Sequence, residues 1–273
     1  MSSGFFLVAV ALKLALSSPL GAQQAQKDAA ELSQLLTQLL HQDVAAQVVQ
    51  HDDLPVLLAE GKVDLAWCSA GQYVTASSRA RVEPAAKLIR GGVPFYRSAL
   101  FTRRGAVKRL TDLRGKRLAF VGEQSSAGYL LARQILVAAG FKDADFRGAK
   151  FLGDHAAVCK AVVAGEADAG ATFANDGRGG SLAGCAETLG PEAVKQLHVL
   201  ATSDPIPNDV VAVRPGAPAE LLLVVRSALL GLAQSSDGRK KLDQLFHADA
   251  FVLAEDSDYA PLRASRAARA ALH

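Results

Sequence analysis

The sequence predicts an α/β protein in which mainly parallel sheets are covered by helices. Two observations carry that reading: strand-like and helix-like segments alternate along the chain, and glycines close several of the helices. A third points to two units of similar build. "EGKVDLA" (Glu60–Ala66) and "AGEADAG" (Ala164–Gly170) each place an aspartate three residues after a helix-ending glycine and open a strand with it. Helix–glycine–strand is common grammar, so the echo gains weight only if the surrounding elements repeat as well. In sheets of this kind ligands gather at the loops beyond the carboxyl ends of the strands.

The first element is ambiguous. Phe5 to Leu16 is an apolar run, and "PLGA" ending at Ala22 has the small-residue form of a signal-peptidase site. Against cleavage, no Lys or Arg precedes the run, and Lys13 interrupts it. The alternative is that "LKLAL", Leu12–Leu16, forms the first buried strand. The run is too short and too interrupted for a transmembrane helix. Leu32, Leu35, Leu36, Leu39 and Leu40 then follow the spacing of an amphipathic helix. "VAAQVV" (Val44–Val49) reads as a strand, "LPVLLAE" as a short helix closed by Gly61, and "VDLAW" (Val63–Trp67) as a buried strand whose Trp67 belongs to the core.

The pattern returns further on. "RLAFVG" (Arg117–Gly122) is a strand, "AGYLLARQILVAAG" a helix stopped by Gly140, and "GAKFL" another strand. "HAAVCKAVVAG" is a helix ending at Gly165, followed by the strand "ADAGATF". "SDPIPNDVVAV" (Ser203–Val213) is extended, and "PAELLLVVRSALLGLAQ", "GRKKLDQLFH" and "YAPLRASRAARAALH" are helical. In the last, Arg263, Arg266 and Arg269 share one face, as on a solvated helix.

Composition narrows the function. The chain has 273 residues, 50% hydrophobic and 21% charged, with a net charge of +3. That balance suits a soluble globular protein and does not suggest a nucleic-acid partner. Cys68, Cys159 and Cys185 are odd in number and lack CxxC spacing, so neither a disulfide framework nor a zinc site is expected, and Cys159 reads as buried and inert.

The segment "VGEQSSAGYLLAR" (Val121–Arg133) holds the chemistry. A nucleophile elbow needs G-x-S-x-G; Ser126 has Gly128 after it but Gln124 before it, and Ser125 fails on both sides. A P-loop would need Lys where Tyr129 stands, HExxH is missing, and the histidines are scattered. Two readings survive. A helix starting near Ala127 offers unpaired N–H groups, a positive dipole end and serine hydroxyls to an oxyanion. The plainer reading makes Ser126 an N-cap. His155 opens the next helix beside Asp154, as an anion donor or as a bystander. Tyr73 and Tyr96, placed in loops after strands, are possible pocket walls or packing residues. Asp209 in "IPND" is a ligand acceptor or a turn residue.

Taken in order, "GKVDLAWCSAGQYV", "YRSALFTRRG", "DLRGKRLAFVGEQSSAGYLLAR", "GDHAAVCKAVVAGEADAGAT", "PIPNDVVAVR" and "DSDYAPLR" resemble the phosphate/phosphite/phosphonate-binding proteins of ABC importers, which have the type II periplasmic-binding-protein fold. The resemblance runs from about Leu12 to Arg263. It implies two α/β lobes, residues 1–97 plus 208–273 and 98–207, joined by a two-strand hinge with a ligand cleft. The family's Ser-Thr-Ser run falls on Ser125, Ser126 and Ala127, with Gly128 following. Its histidine matches His155, its cleft tyrosines Tyr73 and Tyr96, and its hinge aspartate Asp209.

The implied function is non-enzymatic: binding of a small phosphorus oxyanion by a monomer without cofactor, outside the cytoplasm, for an ABC permease. The alternatives are a ligand sensor, a cytoplasmic module, or an enzyme using His155 with Ser126 or Cys159. Three departures from the family stand out. Ala127 lacks a hydroxyl that relatives use, worth about 1.5–3 kcal/mol for a charge-assisted bond. Ser69-Ala70-Gly71 replaces a Gly-Pro turn, and "FANDGRGGSLAG" is unlike its counterpart. The resemblance also favours "LKLAL" as a strand; any export signal is then Met1–Ala11, truncated or missing, or else the module works without ordinary export.

Overall fold

The computed structural model describes residues 11–17, 22–50, 52–123, 125–175 and 182–264. In chain order the elements are β1 (Leu12–Ser17), α1 (Ala22–Leu40), β2 (Val44–Val49), α2 (Leu54–Ala59), β3 (Leu65–Cys68), α3 (Ala70–Ser77), β4 (Glu83–Ile89) and β5 (Phe95–Arg103). There follow β6 (Arg117–Phe120), a π turn (Ser126–Leu130) running into α4 (Leu131–Ala138), β7 (Gly148–Phe151), α5 (His155–Ala164), β8 (Ala169–Ala174), α6 (Ala183–Leu189), α7 (Pro191–Val194) and β9 (Leu197–Thr202). The chain continues through β10 (Ile206–Pro207), β11 (Val210–Val213), α8 (Ala219–Gly231), α9 (Ser236–Phe246) and β12 (Ala250–Leu253).

These elements form two compact units. The first comprises the chain up to Leu88 with Asp209–Asp256; the second comprises Ile89–Asn208 with the residues from Ser257 onward. The first sheet has the order β12-β4-β11-β3-β1-β2, and the second β10-β5-β8-β6-β7 with β9 also paired to β5. Each contains a parallel trio with an antiparallel strand beside it. In the first, β2, β1 and β3 run parallel and β11 opposes β3. In the second, β7, β6 and β8 run parallel and β5 opposes β8.

The echo between Asp64 and Asp168 has a structural cause. Gly61 and Gly165 both hold positive φ, 68° and 76°, where a side chain would be strained. The residue after each glycine bonds back to the preceding helix, Lys62 N to Leu57 O and Glu166 N to Ala161 O, both at 2.9 Å. Each aspartate then accepts a backbone N–H at the start of the parallel strand beside it: Lys13 N donates to Asp64 Oδ2 at 2.9 Å, and Arg117 N to Asp168 Oδ2 at 2.8 Å. Each also pairs with an arginine, Arg214 Nε at 2.8 Å and Arg117 Nη2 at 3.0 Å. Arg117 holds the Asp168 carboxyl below the usual carboxylate range. The same short sequence thus locks helix to strand in both units.

Leu12–Leu16 lies in a strand, β1. Paired on both sides and carrying the buried Leu14, Ala15 and Leu16, it is the middle strand of the parallel trio β2-β1-β3. A strand buried on both faces reads as a continuous apolar run, which is why it looks like part of a signal segment. α1 packs Leu32, Leu35 and Leu36 into the same core as Leu14, Val225, Leu229 and Phe246. Trp67 lies against the Phe246 ring with centroids 4.8 Å apart. Residues 1–10, and with them most of Met1–Ala11, lie outside the described residues, as do Arg266 and Arg269.

Two expectations need correction. Cys159 and Cys185 form a disulfide that joins α5 to α6, leaving buried Cys68 as the free thiol. An odd cysteine count does not forbid one pair; the pair depends on which helices pack together. Tyr73 and Tyr96 lie not in loops but on α3 and β5.

Candidate functional site

β6 and β7 are parallel neighbours in the second unit, and each delivers the chain into a helix at its carboxyl end. The two loops are stitched together: Leu152 N donates to Phe120 O at 2.9 Å and Gly153 N to Val121 O at 2.8 Å. Side-chain alternation sends the helices to opposite faces. α4 packs with Leu100, Leu118 and Phe120, whereas α5 packs with Ala99, Phe101 and Ala119. Two helix starts therefore flank one sheet edge, where open α/β sheets bind ligands.

At the first of these, Ser125 rather than Ser126 is the cap. Its backbone is extended, and its Oγ accepts the Gly128 N–H at 3.1 Å. Ser126 opens a π turn in which Leu130 N reaches Ser125 O at 2.9 Å and Leu131 N reaches Ser126 O. The N–H groups of Ser126 and Ala127 precede the first bonds of the helix and so carry its positive end. Since the Ser125 oxygen accepts from Gly128, its own proton remains to donate elsewhere. Gly128 acts by having no side chain: a Cβ there would lie 2.3 Å from Val121 Cγ2 and 2.7 Å from Ser125 Oγ. Gln124 lies outside the described residues.

At the second, His155 is the first residue of α5, which Asp154 caps by accepting Ala157 N–H at 2.7 Å. His155 Nδ1 lies 3.0 Å from Thr172 Oγ1 on β8, and the ring meets Phe173 edge-on at 5.0 Å. Burial pulls its pKa down to about 4, against the opposing charge of Asp154. The imidazole is therefore neutral near pH 7. In the tautomer in which the Thr172 hydroxyl donates to Nδ1, the ring presents its Nε2 proton as a neutral donor beside a helix start.

Tyr96 is partly buried on β5, pairs with Ile206 of β10, and by alternation shares a strand face with Ser98. Ser98 Oγ donates to the Ala127 carbonyl at 2.6 Å. Tyr73 and Asp209 belong to the first unit. Ser69 caps α3 through a reciprocal box with Gln72, so the Ser69-Ala70-Gly71 departure builds a helix start. Tyr73 is fully buried on that helix, its hydroxyl donating to Asp256 Oδ1 at 2.7 Å. Asp209 precedes β11 next to Cys68, where burial first and the Asp209 charge second push the thiol far up. Cys159, being oxidised, offers no thiol to an enzymatic mechanism. Of "FANDGRGGSLAG", residues 176–181 lie outside the described residues.

Sequence reasoning missed Ser98 and Thr172. Both are polar residues buried within otherwise apolar strands, a signal visible in "YRSALF" and "AGATFA".

Residues 15–259 match the family described as ABC transporter, phosphonate, periplasmic substrate-binding protein. The chain belongs to this family. Phosphonate substrate-binding proteins serve transport and are not enzymes. One curated relative of this family member is the phosphate-import protein PhnD of Mycolicibacterium smegmatis, 27% identical over 179 residues. That match covers 53% of this chain and 56% of the relative, little more than half the relative's length. Among solved structures, XAC2383 from Xanthomonas citri bound to ATP superposes with a TM-score of 0.77 at 19% identity, covering 93% of this chain and 96% of that one. PhnD1 from Prochlorococcus marinus in complex with methylphosphonate gives 0.74 at 19% identity, with the same coverage. The phosphonate-binding family member thus shares the periplasmic-binding-protein fold with both.

Proposed function

We propose that this protein captures a small phosphorus oxyanion, a phosphonate, phosphite or phosphate, and delivers it to an ABC importer. The observation that carries the reading is the pair of helix starts at one sheet edge. The Ser125 hydroxyl, Ser126, the Ser126 and Ala127 N–H groups and neutral His155 are the donors offered at those two helix starts. A tetrahedral anion satisfies such donors directly, and the helix dipole favours its charge. Gly128 supports the cradle sterically, because its N–H is used by the cap. Tyr96 supplies an aromatic wall on the α4 side. Tyr73 and Asp209 stand at the corresponding edge of the first unit, where β3 ends and α3 begins.

Ala127 contributes an N–H but no hydroxyl. The cradle consequently prefers anions that do not depend on that extra donor. The Cys159–Cys185 disulfide supports work in an oxidising compartment outside the cytoplasm.

The test is a thermal-shift series with phosphate, phosphite, methylphosphonate, 2-aminoethylphosphonate and, as a contrasting arm, ATP. Ligand at about 100 times its dissociation constant adds roughly 2.7 kcal/mol to stability. One phosphorus oxyanion is expected to raise the melting point, and the Ser125→Ala/Ser126→Ala double variant to lose the rise. A flat response to all of them at millimolar concentration, or a response to ATP alone, would sink the reading.

A further inference from the structure

The π turn at the proposed cradle is bonded from a strand distant in sequence. In an α-helix the Ala127 carbonyl would accept the N–H of Leu131. Here Leu131 N reaches one residue further back, to Ser126 O, and the Ser98 hydroxyl takes the Ala127 carbonyl at 2.6 Å. Ser98 is fully buried in the middle of β5, and its position is doubly held. Its N–H donates to Ser203 Oγ at 3.0 Å, its carbonyl accepts Ser203 N–H at 2.9 Å, and Ser203 Oγ donates onward to Asp204 O at 2.7 Å. A donor fixed in the sheet thus competes for a carbonyl in the helix's first turn. Single π turns of this kind recur at functional sites, where they re-aim the groups around them.

We propose that Ser98 is a positioning residue for anion binding: its buried hydroxyl holds the first turn in the π form, which aims the Ser126 and Ala127 N–H groups and the Ser125 hydroxyl at the ligand. The proposal rests on the reading of the cradle given above. Ser98 itself donates to backbone and touches no ligand.

The chain carries its own matched control. Thr102, on the same strand and equally buried, donates its hydroxyl to a carbonyl at the same 2.6 Å, but to Asp168 O, away from the cradle. Ser98→Ala and Thr102→Val each delete one buried hydroxyl-to-carbonyl bond. A merely structural role predicts similar melting-point losses and unchanged ligand affinity for both. Positioning predicts that Ser98→Ala also weakens methylphosphonate or phosphite binding by about tenfold or more, the worth of one charge-assisted hydrogen bond between a cradle donor no longer aimed and the anion, while Thr102→Val stays within about twofold, a difference small on the scale of one such bond. Calorimetric titration reads the affinities.

A ligand-free arm uses amide exchange and amide chemical shifts at Leu130 and Leu131, the donors of the π turn. These should change in Ser98→Ala and not in Thr102→Val. Unchanged affinity in Ser98→Ala, or unchanged Leu130 and Leu131 amides, overturns the proposal while leaving the cradle intact. Failure of the unaltered chain to bind any of the anions overturns the cradle, and the amide arm still shows whether Ser98 sets the turn. If Ser98→Ala does not fold, Ser98→Cys, whose thiol fills the space but donates weakly, takes its place in both arms.

Discussion

Replacing Cys185 by serine opens the cross-link that ties α5 to α6, and the cost follows from the length of chain it closes. The two cysteines are 26 residues apart in sequence. In the chain-entropy account a loop of that size is worth about 3.5 kcal/mol. At roughly 2–4 °C per kcal/mol for a chain of this order of size, the melting point should fall by about 7–14 °C. Circular-dichroism melts with and without reductant supply the measurement. Cys159→Ser, Cys185→Ser and the double variant should melt alike, because each removes the same constraint and their effects cannot add. Reductant should lower the parent to the same value and leave the variants unchanged. Under denaturing, non-reducing conditions the parent should titrate one free thiol, that of Cys68. Three titratable thiols, or melts indifferent to reductant, would refute the cross-link and with it the support for an oxidising compartment. A loss confined to the melting point would show that α5 keeps His155 in place without it; a parallel loss of ligand affinity would show that the bond also anchors the site.

His155 makes stability depend on pH. Its pKa falls from an ordinary 6.5 to about 4 in the folded chain, so the unfolded state binds the extra proton between those values. The contribution is whole above about pH 6.5 and is lost as pH falls toward about 4, up to about 3 kcal/mol; urea melts at pH 7, 5 and 4 should show the fall, and His155→Gln should flatten it. Gly128→Ala forces a methyl to within 2.3 Å of Val121. It should cost about 1–3 kcal/mol by overpacking and weaken anion binding, as read by denaturant melts and calorimetry. Asp64→Ala and Asp168→Ala each orphan a strand N–H in an equivalent place and remove an arginine's carboxylate partner. Denaturant melts should show similar losses of about 1–3 kcal/mol; a large disparity would mean the two units do not share the device.

The order of strands and helices was legible because its signals are local. Apolar periodicity marks α1, and Gly61 and Gly165 mark helix ends whose positive φ any neighbour would require. The aspartates after them were legible as an echo, though their bonds to Lys13 and Arg117 were not, since those partners lie 51 residues away along the chain. The segment Leu12–Leu16 was legible only as an ambiguity. An interior parallel strand and a signal segment are both continuous apolar runs, and the pairing of β1 to β2 and β3 lies in residues remote from it in sequence.

The sequence by itself determined the α/β alternation and the doubling of the pattern, and it singled out the strand-to-helix junction rich in small donors at which the cradle is proposed. Tertiary structure decided the rest. The cap lies at Ser125 rather than Ser126, and the turn after it takes the π form, with its Ala127 carbonyl accepting from a hydroxyl on β5. His155 became neutral because β8 and α5 enclose it together. Cys159 became half of a disulfide because α6 packs beside α5. In each case the deciding partner is remote in sequence, and only the packed chain brings its field, its proton or its sulfur within bonding distance.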